Sequence, residues 1–241
     1  MSRHGKKYLQ AAKLVETGRL YEPSDGLELA KRAAYADFDE AIEAHLRLGI
    51  DPRQADQTVR STVVLPHGTG KEPRVLVFAG GEAARIAEDA GADYVGSDDL
   101  VQRIQGGWLE FDASIAMADQ MGKVGGLGRI LGRRGLMPNP RSGTVIRLPE
   151  DLPAAIRELK QGRVEFRNDR TGLIHVMIGK ESFSTDYLTD NLCALVDAVI
   201  RAKPSGAKGV YCRSITVTST MGPGVPLDVA RTLEVAAAQS A

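Results

Sequence analysis

The chain has 241 residues, of which 43% are hydrophobic and 26% charged, an ordinary globular composition with apolar material for one sizeable core or two smaller ones. It contains no run of about eighteen apolar residues, which excludes a membrane-spanning helix, and the opening Met1-Ser2-Arg3-His4-Gly5-Lys6-Lys7 lacks the apolar centre of a secretory signal. Lysine plus arginine balances aspartate plus glutamate at 31 each, so global charge gives no support to nucleic-acid binding.

Taken in order, the first segment reads helix, helix, strand, strand. Lys6 to Val15 is helical in composition, and Ser24 or Asp25 is placed to cap a second helix running to about Tyr35. Ile42, Ala44, Leu46 and Leu48 then alternate with Glu43, His45 and Arg47, which predicts a strand with one wet face. Val59, Ser61, Val63 and Leu65 repeat the alternation after the Asp51-Pro52 turn.

The pattern changes after Pro66-His67-Gly68-Thr69-Gly70. Short apolar strands at Val75–Phe78, Ala92–Val95, Asp112–Met117 and Val145–Leu148 are interleaved with helical stretches at Glu82–Ala90, Asp98–Ile104 and Leu152–Leu159. Such alternation predicts a parallel sheet covered on both faces. Beyond Lys160-Gln161-Gly162 the first pattern returns. Val164–Arg167 and Leu173–Ile178 flank the turn formers Asn168 to Gly172 and predict a β-hairpin. Ser184 caps a helix with Leu188, Leu192, Leu195, Val196 and Val199 on one face, Val210 to Ser219 is a last strand, and the alanine-rich tail from Leu227 is a frayed helix or disordered.

One architecture accommodates this order: a Rossmann-like α/β domain over residues 67–159, inserted into a split α+β domain with a mainly antiparallel sheet, made of 1–66 and 160–241. A single α/β domain is the alternative.

The motifs that would carry catalysis are missing. Gly80-Gly81-Glu82 follows a strand and precedes a helix, but neither the dinucleotide fingerprint nor the P-loop ending is present, and turn chemistry explains it. The histidines His4, His45, His67 and His175 have no metal-ligand spacing, and Cys193 and Cys212 are far apart, as free core thiols in a reducing cytoplasm would be. No metal, no cofactor and no catalytic residue is expected.

Charge distribution is more informative than its sum. No acidic residue falls between Asp119 and Glu150, where Lys123, Arg129, Arg133, Arg134, Arg141 and Arg147 all lie, and a second basic cluster opens the chain at Arg3, Lys6 and Lys7. Two segments suit recognition through the backbone. Leu127 to Arg141 combines repeated glycines with four arginines, forked donors for phosphate. Thr218-Ser219-Thr220-Met221-Gly222-Pro223-Gly224 ends a strand with hydroxyls and suits 2′-hydroxyl and sugar-edge contacts. A solvated face and a strand fading into a loop remain the plainer alternatives.

Seven segments in order carry a resemblance: Phe38-Asp39-Glu40, Leu48-Gly49-Ile50-Asp51-Pro52-Arg53, Leu65 to Lys71, Ala90 to Gly96, Leu136-Met137-Pro138-Asn139-Pro140, Glu165-Phe166-Arg167-Asn168-Asp169 and Thr220-Met221-Gly222-Pro223. Together they resemble the bacterial ribosomal protein L-one family over about Lys6 to Gly224. The resemblance implies a structural, non-enzymatic component of the large ribosomal subunit in the cytoplasm. It implies partners as well: large-subunit ribosomal RNA at the mobile stalk, tRNA leaving the exit site, and the protein's own messenger RNA, whose translation it represses. Off the ribosome a monomer is implied, with no membrane partner. The RNA-binding positions implied are Phe38, Arg53, Arg60, Arg167, Asn168, Asp169, Arg170, Thr218, Ser219, Thr220, Met221 and Gly222, with an auxiliary basic loop at Arg129, Arg133, Arg134 and Arg141. Arg133 departs from the family's usual proline, and the neutral charge balance is low for a ribosomal protein. The competing function is an α/β enzyme holding a nucleotide or sugar phosphate at the strand ends of the inserted domain; a protein–protein scaffold is a third.

Overall fold

The computed structural model describes residues 4–239; Arg3, part of the N-terminal basic cluster, lies outside them. The chain divides into two compact units, one containing both chain ends up to Gly70 and from Val164 on, the other spanning Lys71–Arg163. An α/β unit is thus inserted into a split α+β unit.

The first half of the chain-end unit runs α1 (Lys6–Ala12), α2 (Pro23–Arg32), β1 (Ala41–Leu48) and β2 (Arg60–Val64). The cap of α2 differs from expectation. Pro23 takes the first helical position, where its missing N–H costs nothing, and Ser24 and Asp25 fall inside the first turn with no side-chain cap formed.

The inserted unit follows: β3 (Val75–Phe78), α3 (Glu82–Asp89), β4 (Tyr94–Gly96), α4 (Asp98–Gln105), β5 (Ala113–Met117), α5 (Met121–Val124), α6 (Gly128–Arg134), β6 (Val145–Ile146) and α7 (Leu152–Lys160). Its sheet has the order β4-β3-β5-β6, all parallel. The period of two explains the layers. Val75 and Val77 pack with Ala83, Ala87, Leu152 and Ile156 of α3 and α7, while Leu76 and Phe78 pack with Leu100, Ile104, Val124, Leu127 and Leu131 on the other face.

The glycine-rich basic stretch departs from its sequence reading. Arg129, Arg133 and Arg134 lie on helix α6 rather than in a loop, and only Arg141 sits in an irregular connection, within a single 3-10 turn. Burial wins over weak glycine propensity, because Val124, Leu127 and Leu131, on successive helical turns, are all fully buried in one apolar cluster. Gly135 then ends the helix at φ 72°, a left-handed position that suits glycine.

The chain returns through β7 (Arg163–Arg167), β8 (Leu173–Lys180), α8 (Thr185–Arg201), β9 (Cys212–Ser219), β10 (Val225–Leu227) and α9 (Val229–Gln239). The expected β7–β8 hairpin does not form as a ladder. β7 pairs with β2 in a two-stranded sheet, and β8 joins a four-stranded sheet of order β10-β9-β1-β8. One isolated bridge, Asn168 to Ile174, and the Asp169 N–H donating to the Leu173 carbonyl at 2.8 Å join the two segments. The Asp169 carboxylate takes the N–H groups of Thr171 and Leu173, both at 2.8 Å, and this turns the chain from one sheet into the other.

Ile42, Ala44 and Leu46 of β1 face inward with Leu27 and Ala30 of α2 and Leu188, Leu192, Leu195 and Val199 of α8. The Ser184 hydroxyl caps α8 by accepting from Tyr187 N–H at 3.2 Å. Leu227 is in β10, and the alanine-rich tail after it is helix α9, with Thr232 and Ala236 buried. Cys193 and Cys212 are free and buried.

Candidate nucleic-acid interface

Because side chains alternate along strands, covering one face of the four-stranded sheet with helices leaves the other face for polar groups. That face carries Glu43, His45 and Arg47 from β1, opposite Met177, His175 and Leu173 of β8 and Thr218, Thr216 and Ser214 of β9. All are partly or fully exposed. In its middle His45 and His175 touch, Nδ1 to Nδ1 at 2.8 Å. Burial lowers the His45 pKa, the neighbouring His175 lowers it further, and Glu43 works in the opposite direction.

The residues singled out from sequence gather at the two ends of this face. They do not form one cluster. β1 spans about 23 Å at roughly 3.3 Å per residue, with the Phe38 loop before its start and the Asp51–Arg53 turn after its end.

At the far end a groove of about 850 Å³ is lined by Pro52, Thr58, Arg60, Glu165, Arg167 to Arg170 and His175. Arg60 Nε donates to Glu165 Oε1 at 2.6 Å. Asn168 and Asp169 are occupied in building the turn: Asn168 Oδ1 accepts from Val59 N–H at 2.7 Å, and its amide donates to the Asp169 carbonyl. The Leu173 N–H donating into it holds the Asp169 carboxyl below its ordinary pKa; slight burial opposes this, and Thr171 and His175 add to it. Arg167 and Arg170 flank that rigid turn, and with Arg53 they form no ion pair among the described residues. The turn holds its own polar groups and presents the arginines.

At the near end, Phe38 and Met221 are exposed. The hydroxyl groups nearby are mostly engaged. Thr220 Oγ1 accepts from Ala41 N–H at 3.0 Å and donates to the Ala41 carbonyl at 3.3 Å, which continues the β1–β9 pairing past the strand end. Thr218 Oγ1 turns onto the carbonyls of Ser219, Gly222 and Pro223. Ser219 is 1% exposed. What this end offers outward is Phe38, Met221 and the backbone around Gly222.

Sequence reasoning missed Glu40 as a functional candidate. It is fully buried, and its carboxylate accepts from Tyr35 N–H, Ala36 N–H and Met221 N–H. Burial pushes its pKa up, yet the N–H donors of Met221, Ala36 and Tyr35 outweigh that and hold it below the ordinary value. Parity was the available signal: Glu40 extends the inward-facing series Ile42, Ala44, Leu46.

In the inserted unit, Arg129, Arg133, Arg134, Arg141 and Arg147 form no ion pair among the described residues. Its polar groups at the strand ends are mutually satisfied instead. Ser97 Oγ donates to Gln120 at 2.7 Å, and Lys123 reaches Asp98 at 2.8 Å.

Residues 29–223 match the ribosomal protein L1p/L10e family. The chain is 68% identical over 234 residues to the large ribosomal subunit protein uL1 of Thermomicrobium roseum, covering 97% of each. It is 62% identical over 229 residues to the uL1 of Chloroflexus aurantiacus, covering 95% of this chain and 96% of that protein. Against the uL1 of Chloroflexus aggregans the identity is 61% over 230 residues, covering 95% and 97%.

Proposed function

Because this chain belongs to the ribosomal protein L1p/L10e family, we propose that, as a structural and non-enzymatic component of the large ribosomal subunit, it binds large-subunit ribosomal RNA at the mobile stalk through its chain-end unit. The observation that carries this reading is the helix-free face of the four-stranded sheet, with cationic side chains at one end and an exposed aromatic and thioether at the other.

The two ends suit different parts of an RNA. Arg53, Arg60, Arg167 and Arg170 supply forked donors to phosphate. Phe38 offers a platform for an unpaired base, Met221 an adaptable apolar contact, and the Gly222 backbone a close approach to the sugar edge. Asn168, Asp169, Thr218, Ser219 and Thr220 hold these groups in place. The inserted unit, with its arginines on and after α6, is a separate domain and an auxiliary contact. Release of deacylated tRNA from the exit site, and repression of the protein's own messenger through a mimic of the same RNA, follow from one RNA surface serving more than one ligand. Off the ribosome the protein acts as a monomer.

The test is a binding titration with purified protein against a stalk-region ribosomal RNA fragment and a duplex DNA of equal length. Retention of the RNA fragment alone is expected. Equal affinity for both would reduce the surface to a non-specific polyanion binder and sink the proposal.

A further inference from the structure

We propose that Glu40 is a positioning residue for RNA recognition, fastening the loop that presents Phe38 to the loop that presents Met221 so that both meet RNA as one unit. The inference rests on the reading above that the chain-end unit binds RNA.

Position decides what is unusual about Glu40. Ile42, Ala44, Leu46 and Leu48 face the core, and Glu40 continues that series one step before β1 begins. An apolar side chain would satisfy the core there. Instead a carboxylate with no solvent exposure sits in the place, and a buried carboxylate is costly unless its oxygens are fully engaged. Here Oε1 takes Tyr35 N–H at 2.9 Å and Ala36 N–H at 2.8 Å, while Oε2 takes Met221 N–H at 2.8 Å. The Glu40 carbonyl accepts Glu181 N–H at 2.8 Å. One side chain therefore joins the loop before β1 to the loop after β9.

Both loops end in side chains that the core does not use. Phe38 is 55% exposed and Met221 49% exposed. For one nucleotide chain to stack a base on Phe38 and set a ribose against Met221, the spacing of the two side chains must be fixed before RNA arrives if binding is to avoid the cost of ordering two loops. Glu40 supplies that preorganisation without touching RNA itself.

Glu40→Gln keeps length and volume but leaves one acceptor oxygen. Whichever loop that oxygen holds, the new NH2 group faces N–H donors of the other. In the full chain, at a temperature where the variant remains folded, affinity for the stalk RNA fragment is expected to fall about tenfold. Deuterium exchange at the Met221 or the Tyr35–Ala36 amides is expected to speed up. If melting shifts but the folded variant binds within about twofold of the parent, Glu40 has only a stabilising role and the inference is wrong. Should Glu40→Gln fail to fold, Phe38→Ala, Met221→Ala and their double variant test the same claim with Glu40 intact. Non-additive losses are expected, and losses that multiply independently overturn it. A parent chain that does not prefer RNA to duplex DNA would bring down the functional reading and this inference with it, an outcome distinct from a normal parent with an unaffected variant.

Discussion

His45 and His175 face each other across the β1–β8 ladder with their Nδ1 atoms 2.8 Å apart, a separation at which one nitrogen must carry a proton and the other must accept it. Two protonated Nδ1 atoms cannot share that space. Glu43 lies 3.8 Å from His45 Nε2 and Asp169 lies 3.9 Å from His175 Nε2, so the pair is flanked by a carboxylate at each end. Arg60, Glu165, Arg167 and Arg170 share the groove with His175; the β9 residue opposite His45 is Thr216, which does not titrate.

The first prediction follows from this pair. His45 has its pKa lowered by burial and by His175, from an ordinary value of 6.5. Between that lower value and 6.5 the unfolded chain binds more protons than the folded one, so stability falls as pH falls through this window and levels off below it. Urea midpoints at about pH 7.5 and about pH 5.5 should differ in that sense, and His45→Gln should flatten the difference. A midpoint that rises on acidification would contradict the assignment.

The second prediction concerns the inserted unit. Asp112 is held at about 2 by the Lys71 ammonium, against a burial effect that raises it, with Arg74 backbone and side-chain donors adding to the lowering. This contribution is present above 3.8, the ordinary value, and is lost as pH falls from there toward about 2. Asp112→Asn should lower the unit's melting temperature at neutral pH and remove that part of its acid sensitivity. Trp108, the single tryptophan, packs on Tyr94 and Phe111 within the same unit and reports its unfolding by fluorescence. An unchanged acid profile would count against the Asp112 clamp.

Periodicity made the layered plan legible. Alternation at Ile42–Leu48 and continuous apolar runs at Val75–Phe78 distinguish a sheet with one wet face from one buried on both, and the sheets have those characters. What failed was partner choice. A short turn between Arg167 and Leu173 looks the same whether the chain folds back on itself or steps to another sheet, because pairing depends on Arg60 and Glu43 regions far away in sequence. Helix α6 was obscured by its glycines, and its burial depends on contacts with strands read separately. In the candidate interface, residue types indicated where loops lie but not which polar groups are already engaged. Thr220 and Ala41 are 179 positions apart, and nothing local announces their bonds.

Thr220 supplies the third prediction. Its hydroxyl serves both the N–H and the carbonyl of Ala41. Thr220→Val keeps the shape and removes both bonds at a partly solvated strand end, at a cost of about 0.5–1.5 kcal/mol in stability. A lowered denaturation midpoint with a faster-exchanging Ala41 amide is expected. A hydroxyl that served only RNA would leave both unchanged in the free protein.

The last prediction separates the two units. The core of the chain-end unit is continuous, from Leu27 through Ile42, Phe166 and Leu192 to Val225, so it does not need the inserted unit for burial. The first connection is fastened inside it: Asn191, fully buried, accepts His67 N–H at 3.0 Å and donates to the carbonyls of Gly68 at 2.9 Å and Ile178 at 2.7 Å. β2 and β7, which lead out of and back into the unit, pair with each other. A chain joining Gly70 to Val164 through a short glycine linker should therefore unfold in one cooperative transition and keep specific affinity for the stalk RNA fragment. Few cations line the proposed surface, so log affinity against log salt should have a shallow slope, equivalent to roughly three to five phosphate contacts, in both the full chain and the shortened one. A slope near ten in the full chain that becomes shallow on removal of residues 71–163 would assign most of the affinity to Arg129, Arg133, Arg134 and Arg141. A shortened chain that folds but no longer distinguishes RNA from duplex DNA would move the recognition surface off the four-stranded sheet.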